Sequence, residues 1–171
     1  MPSLVPNLRR QLESVVVAAR NEAEAGAAAA LTAAGIGDAK VPAHLDAAGR
    51  KLRERLRAHG RQLGDLRSPD GSQSVSRLVQ ECAYEHWHRM LFARFLAENE
   101  LLRHPDHDVA MSLEEIADLA REEQLDPWEL ASRFAQRMLP QIFRPDDPVL
   151  QIRLPVENRN RLVEWLQGVP R

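Results

Sequence analysis

The sequence predicts an all-α fold: an irregular multi-helix bundle with a Pro-rich extended segment before the last helix. Three observations lead there. Apolar residues recur at spacings of three and four, as in Leu8, Leu12, Val15, Val16 and Ala19, which is the period of a helix with one buried face. Helix start and stop signals punctuate the chain at Gly35, at Ser112-Leu113-Glu114-Glu115 and at Asp126-Pro127. No convincing alternation of apolar and polar residues runs longer than about five positions, so strands are not expected.

The elements follow in order. The first helix starts near Pro6 or Asn7 and runs to Ala34, where Gly35 and Gly37 end it. Gly26 lies inside it at a cost of about 1 kcal/mol relative to Ala. The Ala-rich second half can pack closely on a neighbour or fray. A second helix runs from about Pro42, a good first-turn residue, to Gly60 or Leu66. Leu45, Leu52, Leu56, Leu63 and Leu66 mark its apolar side. The turn Arg67-Ser68-Pro69-Asp70-Gly71-Ser72 has Pro, Asp and Gly where turn chemistry wants them. It is the best internal boundary, between a helical hairpin over residues 1–70 and a helical core over 71–171.

The third helix spans Ser74 to Asn99. Leu78, Cys82, Trp87, Met90, Phe92 and Phe95 are among the apolar residues covering over half its surface, which places it in the middle of the bundle. Residues 104–108 form a loop. Ser112 to Glu115 is a capping box, and Asp126-Pro127-Trp128-Glu129 repeats the device with Pro at the first helical position. That helix runs to Met138 or Leu139. Pro140, Pro145, Pro148 and Pro155 leave Gln141 to Leu154 mostly extended or looped. A last helix, Val156 to Gln167, presents Leu162, Trp165 and Leu166 and ends at Gly168.

The chain has 171 residues, 44% apolar and 28% charged, with a formal net charge of −2. That is ordinary for a globular chain able to bury one real core, and it excludes an overall basic field. A single cysteine, Cys82, excludes an internal disulfide framework and fits a reducing compartment, with the cytoplasm as the default. No apolar run is long enough to span a bilayer and Met1 to Arg10 lacks a signal pattern, so no membrane partner is expected.

The charge is uneven. Of 23 basic residues, all but Lys40 and Lys51 are Arg. A GC-rich genome produces this usage; selection of Arg for bidentate phosphate contact is the alternative. Between Arg50 and Arg67, seven cations face only Glu54 and Asp65. Arg50, Lys51, Arg53, Arg57 and Arg61 are therefore the candidate nucleic-acid contacts. Such contacts would position a duplex without reading its sequence. The competing reading is a solvated helix face paired to acids elsewhere in the chain.

Other groups offer little chemistry. His86 and His88 point about 200° apart on a helix and cannot share a metal. His104 and His107, with Asp106 and Asp108, could ligate an ion, but no Cys pair supports a zinc site. Cys82 lies on an apolar face and reads as inert. Gly35-Ile36-Gly37 follows a helix and lacks a phosphate-loop fingerprint. Glu114, Glu115, Glu122, Glu123 and Glu129 are explained by capping and the helix dipole. Trp87, Phe92, Phe95, Trp128, Phe134 and Phe143 read as core. No catalytic, cofactor-binding or metal residue is assigned.

One stretch has a familiar pattern. Trp87-His88-Arg89 and Arg94-Phe95-Leu96-Ala97-Glu98-Asn99-Glu100-Leu101 share the third helix, and Ala135 to Phe143 follows later. The region from Val75 to Leu154 resembles the N-terminal helical part of large, single-chain, class I adenine-specific DNA methyltransferases. These include the type IIG restriction–modification enzymes and the methyltransferase of BREX phage-defence systems. The resemblance implies methyl transfer from S-adenosylmethionine to adenine N6, on a base flipped out of the duplex.

That chemistry needs a Gly-containing methyl-donor loop and an Asn/Asp-Pro-Pro-aromatic motif. Asp126-Pro127-Trp128 has one Pro too few, and Asp147-Pro148-Val149 lacks both the second Pro and the aromatic residue. The catalytic domain is therefore expected outside this chain, with S-adenosylmethionine a cofactor of the full-length enzyme only. Because the resembled family is several times longer, the chain reads as an incomplete part of such an enzyme. The implied partners are DNA and a methyltransferase catalytic domain, in cis or in trans. The alternative is a helical adaptor or split subunit that docks on a separate core.

Overall fold

A computed structural model describes residues 6–141, 143, 144 and 146–168. Among the described residues the chain is all-helical, with no strand and a Pro-rich segment before the last helix. The helices are α1 (Pro6–Ala33), α2 (Ala47–Leu63), α3 (Ser76–Glu98), α4 (Leu113–Glu122), α5 (Pro127–Met138) and α6 (Val156–Gln167). A short 3-10 helix covers Pro148–Gln151 inside the Pro-rich segment; Ile142 and Pro145 of that segment lie outside the described residues. No helix among the described residues is long and apolar enough to cross a membrane.

Two compact units are present. One comprises residues 1–85 with 147–171, and the other residues 86–146. The division falls within α3 and not at the turn after Arg67. The reason lies in the first unit, where α6 packs along α1 and joins the chain's last segment to its first.

That packing explains the Ala-rich helix. Ala19, Ala23, Ala27 and Leu31 are wholly buried on one stripe of α1. Small side chains let α6 approach closely, and Gly26 sets the limit. A Cβ placed there would stand 2.9 Å from Asn158 Cβ. The Asn158 amide donates to Glu22 Oε1 at 2.7 Å on the same seam. The Ala-rich half therefore packs and does not fray.

In the second unit α4 and α5 pair with each other. Leu96, Leu102, Ile116, Leu130, Phe134 and Phe143 lie in one buried cluster there. Ser112 and Glu115 form the expected reciprocal capping box, and the Asp126 carboxylate accepts from the Glu129 amide at 3.0 Å.

Four helices end in one way. The amides of Gly35 and Ile36 bond back to Thr32 and Leu31, closing a Schellman turn with Gly35 at φ +62°. Gly64, Glu100 and Gln124 hold the equivalent left-handed position after α2, α3 and α4. Glycine takes that conformation freely. Glu100 and Gln124 carry a Cβ penalty of roughly 1 kcal/mol each.

Three expectations need correction. The second helix starts not at Pro42 but after Asp46, whose carboxylate accepts from the Gly49 amide at 2.7 Å. Leu66 lies beyond the left-handed Gly64, off the helix, and is 77% exposed rather than apolar packing. Phe95 is 51% exposed and not core, although Phe134 and Phe143 are buried.

Gly26→Ala should destabilise the protein by about 1 kcal/mol, because overlap with Asn158 outweighs the better helix propensity of Ala. Urea unfolding measures this directly, and a gain in stability would show that the helices can separate without cost.

Candidate functional site

The basic second helix was the strongest functional signal in the sequence. Its candidate residues divide into two groups. Arg53 and Arg57 are buried, 3% and 4% exposed, while Arg50, Lys51 and Arg61 are exposed. The spacing of Arg53, Arg57 and Arg61, four residues apart, puts them on one helix face as expected. That face turns towards the chain's own backbone.

Each buried guanidinium is held by carbonyl oxygens. Arg53 Nε donates to Gly35 O at 2.9 Å, and its NH2 donates to Asp38 O at 2.6 Å. Its NH1 meets Glu54 Oε1 at 3.0 Å. Arg57 NH1 donates to Ile36 O and Asp38 O, and its NH2 to Gly71 O, each at 2.7 Å. Burial, and then the nearby Arg53 charge, lower the Arg57 pKa below its usual value. Two cations are thus spent on the carbonyls that follow α1 and on the turn at Gly71. Phosphate contact by Arg53 or Arg57 would require breaking these bonds. Arg50 donates to Leu45 O at 3.1 Å and Arg61 to Gln73 Oε1 at 3.0 Å, and both remain at the surface with Lys51.

The same network uses an acid that sequence reasoning missed. Asp65 is 4% exposed and accepts from the amides of Arg77 and Leu78, each at 3.0 Å. These are free donors of the first turn of α3, which a carboxylate stabilises both by hydrogen bonding and through the helix dipole. The cap is supplied from eleven residues before Ser76, so no local capping pattern announces it.

Sequence reading also missed a cluster of ligating groups. His59 of α2, Glu81 of α3 and Asp147, which caps the 3-10 helix, bring one ligand atom each to within 4.8 Å of one another. His59 Nε2 is buried, has no hydrogen-bond partner among the described residues, and stands 3.9 Å from Asp147 Oδ1. Nothing in their spacing along the chain could have joined these three.

Cys82 is wholly buried; desolvation first, and then the Asp147 charge, raise its pKa to about 12. Its Sγ lies 4.0 Å from Val149 O. His88 packs against Phe92 and Phe143, which also touch each other, and burial lowers its pKa. The His104 and His107 rings lie 4.6 Å apart, centre to centre, but join no cluster of three ligating groups among the described residues. Both Asp-Pro pairs serve as helix caps: Asp126 for α5, and Asp147 for the 3-10 helix through Val149 N–H.

Comparison with protein-family models, curated proteins and solved structures finds no match.

Arg57→Ala removes the side-chain donor from Ile36 O and Gly71 O and leaves Asp38 O to Arg53 alone, and should cost about 2–4 kcal/mol of stability, as orphaned buried acceptors do. Arg57→Lys recovers part of it, because an ammonium cannot reach all three oxygens. Denaturant unfolding of both variants checks the order. Cys82 should react with a thiol reagent only after unfolding, even at mildly alkaline pH, because its raised pKa keeps the thiolate population small. Rapid labelling of the folded chain would contradict the burial.

Proposed function

We propose that this chain is the helical, non-catalytic part of an adenine-specific DNA methyltransferase system, in restriction–modification or phage defence. It holds DNA for a catalytic domain that lies outside these residues and uses S-adenosylmethionine. What supports the reading is the role of the residues that carry the family resemblance. Arg94, Leu96, Ala97, Ala135 and Phe143 among them are buried packing groups within one helical unit. Arg89 NH2 donates to Gln136 Oε1 at 2.9 Å, and the Gln136 amide donates to Phe143 O at 3.2 Å. Arg94, 5% exposed, bonds Glu98 along α3 at 2.8 Å. The motif therefore builds a scaffold, and the Asp-Pro pairs are engaged as caps.

On this reading DNA contact falls to Arg50, Lys51 and Arg61, the candidates on the basic helix that remain exposed. Phe95 favours the second form of the proposal, a split subunit or adaptor. Its ring stacks beside Phe92 at 6.0 Å yet remains half exposed, as does Leu101. Apolar surface of this kind suits a protein partner, here the catalytic core.

Reversing Arg50, Lys51 and Arg61 to Glu should weaken DNA binding by the chain with a supplied adenine methyltransferase core by about tenfold or more. It should also reduce the salt dependence by roughly three phosphate contacts. Gel-shift titrations across salt concentration read both. Unchanged affinity and slope would remove the DNA-holding role. Co-elution of chain and core, weakened by Phe95→Glu, tests the docking form. Binding of S-adenosylmethionine by the chain alone, read by calorimetry, would overturn the non-catalytic assignment.

A further inference from the structure

We infer that His59, Glu81 and Asp147 form a binding site for one divalent first-row transition-metal ion. All three belong to the unit that comprises residues 1–85 and 147–171. They come from three separate segments: α2, α3 and the cap of the 3-10 helix. The donor set is one imidazole and two carboxylates. A borderline nitrogen with two hard oxygens suits Zn2+, Mn2+, Fe2+ or Co2+ better than a thiolate-seeking ion.

The geometry supports a shared ligand. His59 Nε2 is a buried ring nitrogen without a hydrogen-bond partner among the described residues. It faces Asp147 Oδ1 at 3.9 Å, beyond the reach of a good hydrogen bond, about 3.2 Å. A divalent ion held by all three atoms would place its charge beside both carboxylates. Metal–ligand bonds of about 2.1 Å place cis ligands roughly 3.0–3.4 Å apart. The three atoms, now within 4.8 Å of one another, reach that spacing with side-chain shifts of about 1 Å.

Asp147 can ligate and still cap. Its Oδ1 accepts from the Val149 amide at 3.1 Å, and a carboxylate has about four acceptor positions. Bound metal would tie the segment that leads into α6 to both α2 and α3. The role this assigns is a structural staple, separate from DNA contact at Arg50, Lys51 and Arg61.

The test uses the full chain, stripped with a chelator and titrated with Zn2+ and with Co2+ as a spectroscopic probe. One equivalent should bind, with a visible Co2+ absorption band and a raised thermal midpoint. His59→Gln, Glu81→Gln and Asp147→Asn should each weaken binding about tenfold or more. Asp147→Asn keeps the side-chain acceptor of the cap, so it separates ligation from folding, and circular dichroism confirms that each variant is helical. Two outcomes overturn the site. One is no saturable binding of either ion to the folded chain. The other is binding that survives all three substitutions and disappears in His104→Ala or His107→Ala.

Discussion

Two buried guanidinium groups organise the first unit. The segment after α1 leaves the helix through a left-handed glycine and exposes a run of carbonyls at Gly35, Ile36 and Asp38. No helix or sheet ladder is available to satisfy them. Arg53 and Arg57, one turn apart on α2, supply the donors. A planar fork can serve several oxygens at once, which a single hydroxyl or amide cannot. The loop, the turn at Gly71 and helix α2 are held together by those two residues. Asp65 then fixes the start of α3 beside them.

The rest of the unit is built on closeness. A stripe of Ala and Gly on α1 admits α6 to within van der Waals distance, and the Asn158–Glu22 bond lies along that seam. Small residues bury little area each, so stability here depends on many short contacts between backbones and not on a few large side chains. The second unit uses the opposite solution. Phe134, Phe143, Leu102, Ile116 and Leu130 fill a conventional core around the short helices α4 and α5.

These arrangements bear on the proposed role. Arg residues that look like a nucleic-acid face by composition are partly structural, and of the five candidate contacts only Arg50, Lys51 and Arg61 remain at the surface. Arg94, Leu96 and Phe143 are buried packing groups too. A helical scaffold that orients a substrate or a catalytic domain needs rigidity in those places, and the hydrogen bonds of Arg89 and Arg94 provide it.

Local signals were legible. Ser112, Glu115 and Asp126 announced α4 and α5 because a cap involves groups only three residues apart. Gly35 announced the end of α1 because only its own backbone angles were at stake. Periodicity and caps together placed the six α-helices of the described residues, with α2 mistaken at its start because Pro42 and Asp46 both suit a helix N-terminus. What tertiary structure alone decided was the environment of each face. Whether Arg57 meets water or three carbonyls depends on where the loop at Ile36 to Asp38 and the turn at Gly71 fold back. His59, Glu81 and Asp147 are brought together by packing, across a separation that no local pattern spans. Sequence by itself determined which segments are helical, since that rests on short-range hydrogen bonding and side-chain period. It could not determine which charged residues remain at the surface, since that rests on long-range contacts formed only when the helices pack.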